Sequence, residues 1–105
     1  MASVCWTVGA RADLSEIVEY ISQDSVTYAA ALAGRIVTNV GRLRRHPGLG
    51  RVVPEYQDRT IRELIVGNYR VVYRVHGQRV AVLAVVHGSR DLIRRLPRGP
   101  WNLPQ

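Results

Sequence analysis

The stretch "TIRELIVGNYRVVYRVHGQRVAVLAVVH", residues 60–87, decides the fold. It reads as three strands, 60–66, 69–75 and 79–87, rich in β-branched and aromatic residues. The links "GN" and "HGQ" are short enough only for hairpins, so the stretch predicts an antiparallel meander. Period-two alternation then sorts the side chains: Tyr69, Val71, Tyr73 and Val75 point one way, Arg70, Val72 and Arg74 the other. In the last strand Val80, Val82, Ala84 and Val86 share one face, and Ala81, Leu83, Val85 and His87 the opposite one. With an even number of residues in the second link, even positions oppose odd ones. Arg70, Arg74 and His87 then share a face, and the tyrosine–valine face packs the helices.

Upstream, residues 3–8 read as a short strand. From Ala10 the period changes: Leu14, Ile17, Val18 and Ile21 make one face of a helix ending near Ser22, with Asp13, Glu16 and Glu19 on its wet side. Asp24 or Ser25 caps a second helix, whose buried stripe is Ala29, Leu32, Ala33, Ile36, Val40 and Leu43. "HPGLG" stops it, because Pro47 cannot continue a helix. Residues 51–59 are expected to be a loop or weak edge strand, since Pro54 lacks a ladder donor. Downstream, "DLIRRL" has room for a short C-terminal helix, and residues 97–105 are expected to hang loose. The order β-α-α-β-β-β describes one α+β domain over residues 1–96, with two N-terminal helices on one face of an antiparallel sheet.

Composition narrows the function classes. Fifteen basic residues, all arginine, against eight acidic ones give a net charge of +7. That sign points to nucleic acid or to an acidic protein partner. No apolar run is long enough to span a bilayer, and "MASVCWTV" lacks the basic start and apolar core of a signal peptide. Cys5 has no intrachain partner, and its apolar surroundings predict a buried thiol in a reducing cytoplasm. The three histidines and Cys5 show no metal-ligand spacing, no glycine-rich phosphate loop occurs, and nothing places Ser89 in a nucleophile elbow. No cofactor is expected.

One constellation has the residue types for chemistry. His87 can serve as acid, base or hydrogen-bond donor near neutral pH. Arg70 on the same predicted face could hold a phosphate, and Glu55 is the nearby carboxylate in sequence suited to a base. Set against this, a histidine at a strand end more often hydrogen-bonds a neighbouring loop.

The segments "WTVGARADLSEIVEYISQDS", "HPGLGRVVPEY", "IRELIVGNYRVVYRV" and "VAVLAVVHGSRDL" together resemble the RelE/ParE superfamily of bacterial toxins, over roughly residues 6–93. The resemblance implies the toxin of a type II toxin–antitoxin pair, neutralised by and oligomerising with a cognate antitoxin. RelE- and YoeB-like members cleave mRNA on the ribosome, whereas ParE-like members poison DNA gyrase. On the nuclease pattern, Glu55 falls near the general base, Arg70 on the phosphate-holding arginine and His87 on the acid. Two departures favour the ParE-like reading: Gly88 and Ser89 stand where such nucleases usually offer an aromatic residue, and the chain contains no lysine. A degenerate toxin that only binds its antitoxin is a third reading. The candidate binding residues are Arg42 and Arg45 at the end of the second helix, Arg74 on the open sheet face, Arg90 beyond the last strand, and Trp101 in the tail.

Overall fold

The hydroxyl of Thr7 starts the first helix by accepting a hydrogen bond from the Ala10 amide at 3.1 Å. In the computed structural model, which describes residues 1–97, that helix (α1, Val8–Ser22) follows strand β1, Ser3–Trp6. Ser25 caps α2, Val26–Gly41, through the Tyr28 amide at 3.0 Å. A 3₁₀ turn over Arg42–Arg44 runs α2 out before Pro47. Strands β2 (Arg51–Val52), β3 (Ile61–Val66), β4 (Tyr69–His76) and β5 (Arg79–His87) follow, and then a one-turn helix α3 (Leu92–Arg95) capped by Asp91. The expected α+β order therefore holds. The notional tail beyond residue 97, including Trp101, lies outside the described residues.

The strand order is β1-β5-β4-β3-β2. The meander is antiparallel throughout, but β1 pairs with β5 in parallel, so the sheet is mixed rather than purely antiparallel. Hairpin links fix antiparallel direction only for the strands they join. The long α1–α2 connection leaves β1 free to run either way.

A β-bulge corrects the predicted faces. Near the turn, Tyr73 opposes Val82 and Val75 opposes Val80; past it, Val72 opposes Ala84 and Tyr69 opposes His87. Leu83 is the extra residue, and beyond it the alternation of β5 changes parity. Val80, Val82 and Val85 face the helices with Val71 and Tyr73, whereas Ala81, Leu83, Ala84 and Val86 line the other side with Val72. His87 thus joins Tyr69 on the helix side, and Arg70 pairs with Val86 on the opposite side.

The core has two parts. Leu32, Ile36, Val40 and Leu43 of the α2 region pack on the tyrosine–valine face, as the stripe predicts. The other face is not open: Val53, Tyr56, Leu92 and Leu96 cover it, and the Tyr56 hydroxyl donates to the Leu96 carbonyl. Two smaller expectations also change. Cys5 is exposed, because β1 is an edge strand with its inward face occupied by Val4 and Trp6. Asp13 does not simply face water. β1 ends opposite Val82, and Asp13 reaches over from α1 to accept the Val85 amide at 3.0 Å. Arg95 of α3 then grips the same carboxylate at 2.8 and 3.1 Å. Among the described residues, no helix is long and apolar enough to cross a membrane.

Candidate functional site

Where the Gly67–Asn68 turn meets the end of β5, the surface opens into a cleft of about 640 Å³. Glu55, Arg70 and His87 all line it, together with Arg51, Asn68, Gly88 and Ser89. Gly67 takes a positive φ of 58°, which glycine tolerates without strain and which turns the chain sharply between β3 and β4. Gly88 donates its amide to the Asn68 carbonyl at 2.8 Å, so the strand end and the turn are fastened together.

The charged groups of the cleft are paired with one another. Arg70 forks onto Glu55, Nη1 to Oε2 at 2.7 Å and Nη2 to Oε1 at 2.8 Å. Its Nε donates to Glu63 Oε1 at 2.6 Å, and the other Glu63 oxygen accepts from Arg51 Nε at 2.7 Å. Two guanidinium and two carboxylate groups therefore form one neutral chain, Arg51–Glu63–Arg70–Glu55. Glu63 is fully buried, and sharing between two arginines is what keeps its charge tolerable there. The hydrogen bonds from Arg70 hold the Glu55 carboxyl below its usual range, and the Glu55 bonds in turn raise Arg70 further.

His87 belongs to a different set of contacts. Its ring stands edge-on to Tyr69, centroids 5.4 Å apart and planes at 83°. The Ser89 amide donates to Nδ1 at 3.2 Å, and the Ser89 hydroxyl lies 2.7 Å from the same nitrogen. Nδ1 is thereby an acceptor, and the proton of the neutral ring rests on Nε2. Glu55 and Arg70 meet directly; His87 shares their cleft but not their face of the sheet.

Sequence reasoning missed Glu63, the residue that organises the site. Its signal was present: a single carboxylate inside the apolar run "IRELIV" has to be paired if that strand is buried. The remaining candidates lie elsewhere. Arg74 is half-buried on the second sheet face, opposite Ile61 and Ala81. Arg90 is exposed beside a second hollow of about 540 Å³ that Asp13, Glu16 and Asp91 also line. Arg42 and Arg45 are exposed at the far end of the sheet, beside Gln78 and away from the cleft. Among the described residues, no three His, Cys, Asp or Glu side chains gather as a metal centre.

The geometry has relatives. Residues 4–92 match a family model described as the ParE toxin of the type II toxin–antitoxin system parDE. The chain is 36% identical over 91 residues to the toxin RelE2 of Caulobacter vibrioides, covering 86% of this chain and 99% of that one. A solved structure of the chromosomal ParDE toxin–antitoxin system from P. aeruginosa superposes with a TM-score of 0.68 at 26% identity, covering 83% of this chain and 96% of the other. The toxin–antitoxin complex RelBE2 from Mycobacterium tuberculosis gives 0.53 at 25% identity, over 82% and 96%.

Proposed function

Because the chain belongs to the ParE toxin family, it is the toxin of a type II toxin–antitoxin system, and we propose that it arrests growth by binding DNA gyrase rather than by cutting RNA. The observation that carries this reading is the pairing of Arg70. A ribonuclease at this cleft needs a carboxylate able to take a proton and a guanidinium turned toward phosphate. Here each satisfies the other through a bidentate bond, with Glu63 holding the third guanidinium nitrogen. Glu55, held below the usual carboxylate range, is a weak base. His87 stands on the other side of the sheet, committed to Tyr69 and Ser89.

A cognate antitoxin is the neutralising partner in this reading. Both similar solved structures come from toxin–antitoxin systems, and a net charge of +7 favours a partner that brings carboxylates. Arg90, exposed and lining a hollow with Glu16 and Asp91, is an arginine open to such contacts.

One observation favours the ribonuclease reading, that Glu55, Arg70 and His87 line a single cleft. Purified toxin decides between the two. The expected result is inhibition of gyrase supercoiling with accumulation of cleaved gyrase–DNA complex, and intact mRNA in a ribosome-programmed cleavage assay. Unaffected gyrase at saturating toxin, with mRNA cut on the ribosome, would overturn it. Absence of both activities, with no growth effect on induction without antitoxin, would identify a degenerate toxin that only binds its antitoxin.

A further inference from the structure

The end of the molecule opposite the cleft is charged in a way that neither the fold nor the paired arginines require. Arg42, Arg44 and Arg45 follow α2 at a 3₁₀ turn, all exposed, with His46 next in the chain. They line two adjoining hollows of about 470 and 610 Å³ that continue to Gln78 in the β4–β5 turn. β4 runs from Tyr69 at the cleft to His76 near this end, so its 8 residues separate the two surfaces by about 25 Å.

Among the described residues no carboxylate lines either hollow. The lining comes from residues 1–2, 38–47 and Gln78, stretches without Asp or Glu; Asp58, two residues before the Thr60 that accepts the Val75 amide, lies at the same end of the sheet but outside the lining. Arg51, Arg70 and Arg95 are among the arginines held in ion pairs, and no such pair among the described residues holds Arg42, Arg44 or Arg45. Arg42 reaches Asn39, a neutral amide, at 3.4 Å. One role for these charges is to offset the helix dipole at the C-terminus of α2. That dipole amounts to about half an elementary charge. Three guanidinium groups exceed it several-fold, so most of the positive charge is left for something outside the chain.

We infer that Arg42, Arg44 and Arg45 form a docking surface for the phosphodiester backbone of nucleic acid, separate from the cleft. The choice against an acidic protein rests on the lining. Protein interfaces carry an apolar centre inside a polar rim. Here the large exposed apolar side chain lining the hollows is Met1, at the edge, and the rest is arginine, histidine and small or polar residues. Backbone contacts to nucleic acid need no apolar centre, since counterion release drives them. The charge is carried by exposed arginine side chains of a turn, which can meet phosphates without entering a groove, so the binding reads charge and not sequence. This surface adds a contact beyond gyrase and does not depend on gyrase being the target.

The test is fluorescence anisotropy of the full chain with labelled random-sequence duplex DNA and, in parallel, duplex RNA, from 50 to 300 mM salt. The triple variant Arg42→Gln/Arg44→Gln/Arg45→Gln should lose at least about tenfold in affinity near 100 mM salt. Its log–log salt slope should fall in magnitude by roughly 2–3, close to one unit per arginine removed. These side chains are exposed, and an unchanged thermal melt confirms that the variant is folded. The control Arg90→Gln/Arg94→Gln, at the other end of the sheet, should change affinity less than threefold. The two duplexes tell DNA from RNA as the preferred source of the backbone. Wild-type affinity and slope in the triple variant would overturn the inference. So would displacement of bound duplex by poly-glutamate at equal charge concentration, which would make the surface one for acidic protein.

Discussion

Glu63 and Arg70 stand diagonally across the β3–β4 ladder, and 2.6 Å separates the Glu63 carboxylate from Arg70 Nε inside the second sheet face. One is buried almost completely and the other nearly so. Their pairing sets what the cleft can do, because it directs the remaining guanidinium nitrogens toward Glu55.

Removing one member of this pair leaves the other with only part of its partners, Arg70 with Glu55 and Glu63 with Arg51. Glu63→Leu should lower stability by about 1.5–3 kcal/mol, since Arg70 Nε loses a charge-assisted hydrogen bond inside the protein. Replacing both, Glu63→Leu with Arg70→Leu, should cost much less than the sum of the single changes. Urea denaturation of the two single variants and the double variant measures the coupling.

Acid should loosen the loop that carries Glu55. Its carboxyl is depressed in the folded state from an ordinary value of 4.5, so the stabilisation is fully present above that value and is lost as pH falls through the lower folded one. The urea midpoint of wild type should therefore fall more steeply below pH 4.5 than that of Glu55→Gln, the two curves converging in acid. Parallel curves between pH 6 and pH 3 would show that the Arg70 bond contributes nothing.

Growth arrest should survive the loss of the imidazole. His87→Ala leaves the Arg70 network intact and removes an exposed ring that packs on Tyr69. Induction without antitoxin should arrest growth within about threefold of the wild-type dose, whereas general acid catalysis would lose on the order of 10²–10⁴-fold. Colony counts after induction, normalised to toxin abundance, read the difference.

Asp13 joins three elements, α1, β5 and α3. Asp13→Ala should cost about 1–3 kcal/mol, because it leaves the Val85 amide and the Arg95 guanidinium without this acceptor. The loss should also be regional: hydrogen exchange at Val85 and through α3 should accelerate before the centre of β4 responds.

Much of this architecture was legible because each helix and hairpin announces itself locally. Ser25 before an apolar period of three and four, and "GN" between two β-rich runs, need no tertiary information. The bulge was not legible. Residues 80–86 are apolar throughout and buried on both faces, so no polar residue marks where the alternation slips at Leu83. A one-residue slip then moves every later side chain across the sheet, and His87 with it. Glu63 was missed for a different reason: Glu55 stands on a loop, where a carboxylate reads as free for chemistry, whereas Glu63 sits inside a strand and meets Arg70 only through a pairing that crosses a turn. The exposed Cys5 and the covered second face follow from which strand lies at the edge and where α3 lands, both set by long-range packing.

The parallel pairing of β1 with β5 also orders events in time. Ser3–Trp6 leave the ribosome well before Arg79–Val82, the residues they must pair with. At about 5–20 residues per second, the 76 residues between Ser3 and Arg79 impose a wait of roughly 4–15 s on every new chain. Throughout that interval the sheet lacks its edge and α1 lacks the strand over which Asp13 closes. The sheet is thus closed at the last stage of synthesis, when β5 becomes available to β1, and a nascent chain carries no finished toxin.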